Sequence, residues 1–151
     1  MFPDLGAAAY LKDTWGEAAP FRITSLDDRE PVSGEEDLVI VVAADPQGAD
    51  DCVRLNRLVP QHTGLVLFNP RLVSGDVGIG LNVRRLRQQF LGQFVTTYSI
   101  RPIDDIGTIY RRYPSLWKVF IQDETTPGRF KLIAERPERP AGAPCLCLCS
   151  E

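Results

Sequence analysis

The side chains best suited to meeting a ligand cluster around one glycine-rich connector, Ser74-Gly75-Asp76-Val77-Gly78-Ile79-Gly80, with Asn69 and Arg71 before it and Asn82, Arg84, Arg85 and Arg87 after it. A connector of this kind opening a helix can cradle an anion in its backbone amides, where the helix dipole is positive. Arginine adds a planar fork of donors that fits phosphate or carboxylate. The spacing is not a dinucleotide fingerprint, because Val83 stands where the third glycine would be, and no Gly-Lys-Ser/Thr follows as a phosphate loop requires. Cations in the first turns of a helix oppose its dipole at a cost of roughly a few tenths of a kcal/mol each. Arg84, Arg85 and Arg87 are therefore expected to face something acidic: a phosphate, an acidic partner protein, lipid headgroups, or within the chain Asp76 or the segment Asp27–Asp37.

Other chemistry is poorly provided for. His62 is the single histidine, in the loop Pro60-Gln61-His62-Thr63-Gly64, and no Gly-x-Ser-x-Gly elbow or paired cysteine accompanies it. Cys145, Cys147 and Cys149 alternate without Cys-x-x-Cys spacing, so no metal site is expected. Asp27-Asp28, Glu35-Glu36-Asp37, Asp50-Asp51 and Asp104-Asp105 read as solvated loops or helix starts. Tyr110, Tyr113, Trp117 and Phe120, beside Arg111 and Arg112, are expected to build a sheet core and a partner-facing patch rather than to read RNA. No catalytic residue and no cofactor is assigned.

The 151 residues carry a net charge of −3, which gives no overall basic field for nucleic acid. The charge is unevenly spread: Met1–Asp50 hold three basic and eleven acidic side chains, Asp51–Glu151 fourteen and nine. Fourteen of the seventeen bases are arginines. Four cysteines in these positions fit a reducing compartment better than a disulfide scaffold. The longest clean apolar run, Leu38–Ala44, falls far short of the roughly 20 residues that span a bilayer. Met1-Phe2-Pro3-Asp4 opens neither a signal sequence nor a transit segment, so any address is expected to have been removed or never to have been there.

The elements that would position the connector follow from the pattern. Asp4 and Gly16 bracket a helix over Leu5–Trp15, and Phe2-Pro3-Asp4 reads as the end of a strand whose body would lie upstream. Phe21–Leu26 is a candidate short strand, followed by an acidic loop over Asp27–Asp37. Leu38–Ala44 reads as a central parallel strand buried on both faces, Gln47–Val59 as a helix and Gly64–Asn69 as the next strand. A helix over Leu81–Gln93 presents Val83, Leu86, Phe90 and Phe94 as one stripe. Val95–Pro102, Gly107–Tyr113, Leu116–Asp123 and Phe130–Glu135 then form an antiparallel meander. The expected fold is a three-layer α/β domain over 1–139, with a mixed sheet whose first half is a parallel βαβ arrangement and whose second half is the meander, and an irregular tail over 140–151. In such a sheet the turns Asp45-Pro46-Gln47-Gly48 and Asn69-Pro70-Arg71 leave at one edge, where open α/β sheets place ligands.

Several phrases carry a family likeness: Phe2–Ala9, Ile23–Pro31, Asp45–Gly48, Leu67–Leu72, Gly75–Gly80, Phe94–Arg101, Arg112–Trp117 and Ala134–Pro137. Together they resemble an uncharacterised domain family of cyanobacteria, algae and plant plastids. That domain occurs in the low-photosystem-II-accumulation assembly factor 3 and beyond the kinase region of a plastid adenylate kinase. The likeness covers about 1–139; the family ordinarily has a further helix and strand before the Phe-Pro-Asp segment, and the end from Ala141 resembles nothing in it. The resemblance implies the plastid stroma, the thylakoid periphery or the cyanobacterial cytosol. It also implies an accessory role in photosystem II assembly, with no catalytic residues.

The expectation is thus a non-catalytic interaction domain that binds a protein partner, with peripheral membrane association compatible and no nucleic acid. Its surface comprises Asn69, Arg71, Gly78, Gly80, Asn82, Arg84, Arg85 and Arg87. The alternative is a phosphate- or nucleotide-binding module centred on Asn69, Gly78 and Gly80, of the kind associated with adenylate-kinase-type proteins.

Overall fold

The β-branched stretch Leu38-Val39-Ile40-Val41-Val42 forms the first strand, β1, because branched side chains favour the extended backbone and pack well on a pleated surface. The computed structural model describes residues 1–72, 81–104 and 106–140, the side chains of 81–83 excepted. Its chain gathers into two compact units, Met1–Gln93 and the part from Phe94 onward.

In the first unit β1 pairs in parallel with β2 (Gly64–Phe68), Leu38 opposite Gly64 through Val42 opposite Phe68. The ladder is framed by Gly64 N–H donating to Asp37 O and Ala43 N–H to Phe68 O, both at 2.8 Å. The other edge of β1 holds the chain start: the Met1 ammonium donates to Ile40 O at 2.9 Å. Val42 N–H returns a bond to Met1 O at 3.0 Å. Phe2 continues the layer outward, donating to Thr24 O at 2.8 Å and accepting from Leu26 N–H at 2.9 Å. The spatial order is therefore Thr24–Leu26, Met1–Phe2, β1, β2, all parallel. Phe21–Leu26, expected as a strand, is paired only through the bridge between Ser25 and Phe2, because two neighbouring residues supply no longer ladder.

Helix α1 (Leu5–Trp15) leaves directly after Phe2, with Asp4 Oδ1 accepting from Ala7 N–H at 2.8 Å and Gly16 closing it at φ 51. Trp15 stands edge-on to Phe2 and Phe21, ring centres 6.3 and 6.0 Å apart. Helix α2 (Ala49–Leu58) joins β1 to β2 and buries Cys52 and Leu55. With Leu26, Val41 and Phe90 they are the largest fully buried apolar side chains of the unit, each worth about 1.5–3 kcal/mol if removed from water. Helix α3 (Leu81–Gln89) ends earlier than the apolar pattern suggested and passes into a 3-10 turn, Leu91–Gln93. That turn is tied back by Gln93 Nε2 to Gln89 O at 2.6 Å.

The strand expected to be buried on both faces is buried on one. Val39 and Val41 are covered, whereas Leu38 and Ile40 are 52% and 41% exposed. By register they share a face with Val66 and Phe68, which are exposed too. A continuous apolar run shows that a strand avoids polar residues, but it does not report whether anything lies over each face.

The second unit is the meander, strands β3 (Tyr98–Ile103), β4 (Gly107–Arg112), β5 (Trp117–Gln122) and β6 (Phe130–Arg136) hydrogen-bonded in chain order. The mixture of parallel and antiparallel pairing is as expected, but the strands divide between two sheets instead of one. Ile109, Trp117 and Val119 line its buried face. Tyr98 and Ile100 lie on the other, with Tyr98 edge-on to Tyr110 at 5.9 Å. The β5–β6 hairpin is closed by Asp123, which accepts from Thr125 Oγ1 at 2.6 Å, Thr125 N–H at 2.9 Å and Lys131 Nζ at 3.0 Å. The Thr125 hydroxyl and amide, then Lys131, hold its carboxyl down from the usual 3.8 to about 2.

Two outcomes follow. Gly107 lies so close to β5 that a Cβ would strike the Phe120 carbonyl oxygen. Gly107→Ala should therefore cost about 2 kcal/mol in urea unfolding followed by Trp117 fluorescence in a Trp15→Phe background; an unchanged midpoint would mean that β4 and β5 have room to part. Asp123 holds fewer protons folded than unfolded, so its contribution is complete above its ordinary 3.8 and lost as pH falls through about 2. Melting temperatures of Asp123→Asn should accordingly fall less steeply than those of the parent across that interval.

Candidate partner-binding surface

Parallel strands deliver their exits to one edge, and here two backbone bonds hold the exits together. Ala43 N–H donates to Phe68 O at 2.8 Å, and Arg71 N–H crosses to Ala44 O at 2.7 Å. Ala43 and Asn69 both take left-handed backbone, φ 52 and 48, to make the sharp departures. The turns Asp45–Gly48 and Asn69–Arg71 thus share one rim, as expected, with Asn69 and Arg71 exposed on it. The start of α1 opens at the same rim, because Phe2 runs parallel to β1 and α1 follows it at once. The strand order changes direction between Phe2 and β1, which makes this the topological switch point of the layer.

The rim's helix starts are already served by acids. Asp4 Oδ1 binds Ala7 N–H, and Asp45 Oδ1 accepts from Gln47 N–H at 3.0 Å and Gly48 N–H at 2.9 Å. Asp50 and Asp51 add two carboxylates in the first turn of α2. Negative charge at these positions satisfies the dipole and repels a second anion. Neither α1 nor α2 is therefore a phosphate cradle.

Of the residues picked from sequence, Gly78 and Gly80 lie outside the described residues, as does the side chain of Asn82. Arg84, Arg85 and Arg87 lie on α3 with their side chains exposed. Among the described residues none of them, nor Arg71, has a carboxylate within ion-pair distance. Of the acidic segment proposed as their internal partner, Glu36 is engaged elsewhere, and Asp76 lies outside the described residues. Glu36 pairs with Arg22 at 3.1 Å and accepts from Ser33 and Gly34 N–H. The Ser33 amide, above all, holds its carboxyl at about 2. Arg54 Nη2 donates to Leu26 O at 2.6 Å, anchoring the same loop to α2. The structure therefore joins Asn69 and Arg71 to the Asp45 turn and presents Arg84, Arg85 and Arg87 as exposed side chains of α3.

Cys52 carries no reactivity at this rim. Burial, then Asp51 and Asp45, push its thiol up to about 11, so it stays protonated. His62 sits exposed in its loop. No group of three or more His, Cys, Asp or Glu is arranged to hold a metal among the described residues. No helix among them is long and apolar enough to cross a membrane. Sequence reading missed the role of Asp45 as the acceptor that closes its own turn. The signal was present in Asp45-Pro46-Gln47-Gly48, an aspartate two and three residues ahead of free amides.

A family model described as "Domain of unknown function (DUF1995)" matches residues 1–145. No curated protein and no solved structure matches the chain.

Replacing the Asp45 acceptor should release two amides at the head of α2. Asp45→Ala is expected to lower stability by about 1 kcal/mol in chemical denaturation, while His62→Ala stays within about 0.5 kcal/mol of the parent. Equal effects would remove Asp45 from the rim's architecture.

Proposed function

We propose a function from the premise that the chain belongs to the domain-of-unknown-function family DUF1995: it is a non-catalytic interaction domain that captures an acidic protein partner. The observation that carries this reading is the set of exposed arginines Arg71, Arg84, Arg85 and Arg87, which have no carboxylate partner among the described residues. Guanidinium groups left in water keep their charge at any cellular pH and bind carboxylates in a bidentate manner. Loops fixed by a rigid parallel pair are the usual place for such recognition.

The finer reading concerns the biological setting. The likeness of the phrases around Asp45–Gly48, Leu67–Leu72 and Arg112–Trp117 to the low-photosystem-II-accumulation assembly factor supports a role in photosystem II biogenesis, in the plastid stroma or at the thylakoid periphery. A protein partner suits four exposed arginines carried by a loop and a helix, since an extended acidic surface can meet several of them at once.

Affinity purification of the tagged full-length protein from thylakoid and soluble fractions tests this. Photosystem II subunits are expected to co-purify with the parent, and at least about tenfold less with the variant in which Arg71, Arg84, Arg85 and Arg87 are all glutamine. Undiminished recovery would overturn the surface named. Recovery of no photosystem component by the parent would overturn the setting.

A further inference from the structure

The meander gathers an excess of positive charge at one end of its strands. At that end stand Arg111, Arg112, Lys118, Arg136 and Arg139 with Glu135 and Glu138; at the other, Asp104, Asp123 and Glu124 are matched by Arg101, Arg129 and Lys131. Arg111 lies over the ring of Trp117 at 5.2 Å, and Arg139 lies over the same ring at 5.9 Å. Arg136 is the register partner of Trp117 on β6. Stacking on the indole holds a guanidinium flat and leaves its edge donors directed outward. Arg111 Nε donates to Thr96 O at 2.9 Å and Arg136 Nη1 to Glu135 O at 3.3 Å. Among the described residues no carboxylate lies within ion-pair distance of Arg111, Arg112 or Arg136. Glu135 is engaged by Lys118 at 3.2 Å, and Glu138 is the remaining acid of that end.

Between these cations projects the tip of the β4–β5 hairpin, Tyr113-Pro114-Ser115-Leu116, with Tyr113 57% and Leu116 44% exposed. An amphipathic aromatic and a leucine flanked by arginines match the chemistry of a bilayer interface, where rings settle at headgroup level and guanidinium groups meet lipid phosphates.

We propose that this end of the meander docks on an anionic lipid bilayer, with Tyr113 and Leu116 entering the headgroup layer and Arg111, Arg112 and Arg136 binding lipid phosphates. A flat anionic surface is favoured over an acidic peptide because the excess positive charge is confined to one end of the unit, and because the tip is apolar and projects between the cations. Nucleic acid is disfavoured because Trp117 is buried with two guanidinium groups over its ring and offers no open face on which a base would stack. The residues named are other than the arginines of the first unit.

The test is co-sedimentation of the full chain with vesicles of phosphatidylcholine alone and of phosphatidylcholine with about one-third phosphatidylglycerol. Binding to the anionic vesicles only is expected. Arg112→Gln and Arg136→Gln, both exposed and outside the Trp117 stack proper, should each weaken it about fivefold. Tyr113→Ser with Leu116→Ser should weaken it about as much at a salt concentration that screens the arginines. The glutamine variant at Arg71, Arg84, Arg85 and Arg87 should sediment like the parent. Equal binding to neutral vesicles, no binding to either, or loss confined to the first-unit variant would overturn the assignment. So would full displacement by polyglutamate with no response to the tip substitutions, which would assign the surface to an acidic polypeptide. Circular dichroism of each variant separates lost docking from lost folding.

Discussion

The parallel pairing of β1 with β2 is the constraint from which the first unit follows. In a parallel ladder each strand's carbonyl end points the same way, so the turns that leave β1 and β2 are forced onto one edge. The bonds from Ala43 to Phe68 and from Arg71 to Ala44 convert that tendency into a fixed juxtaposition. Both exits require left-handed backbone, at Ala43 and Asn69, and neither residue is glycine. Such backbone costs of order 1–3 kcal/mol per residue and persists only where surrounding structure holds it. The adjoining ladder and the buried core of Val41, Cys52 and Leu55 supply that support.

Electrostatics then decides which features of the rim are open to a partner. Helix starts are natural anion sites, but Asp4 and Asp45 occupy the amides at two of them, so the rim satisfies itself at α1 and α2. In the acidic loop Glu36 is likewise engaged, holding Ser33, Gly34 and Arg22. The excess of arginine in the second half of the chain therefore is not consumed by the acids of the first half among the described residues. Each unit exposes a cationic region, the first on Arg71 and α3 and the second around Trp117. Both use arginine, whose planar group can stack or fork where lysine offers only a point charge.

Much of this architecture was legible in the residues. The Asp4 and Gly16 punctuation of α1, the β-branched run of β1 and the turn signals of the meander each rest on local chemistry, and each element appears within a few residues of its expected place. The alternation in β5 was also readable: Trp117 and Val119 lie buried on one side, Lys118 and Phe120 half-buried on the other. Less readable was what covers each face. Leu38 and Ile40 look identical in kind to Val39 and Val41, yet only the latter pair is buried. Pairing partners were also out of reach where the ladder is short, as for Phe21–Leu26, because a single bridge leaves no periodic trace.

By itself the sequence determined the elements, the uneven charge, and the placement of the strand-exit turns at a common edge, because these depend on near neighbours in the chain and on the handedness of parallel crossovers. Tertiary structure alone decided that the strands fall into two sheets, that Glu36 belongs to Arg22, and that Arg111 and Arg139 lie over Trp117. Those outcomes rest on contacts between residues distant in sequence, whose choice among many chemically equivalent partners is made by geometry once the backbone has closed.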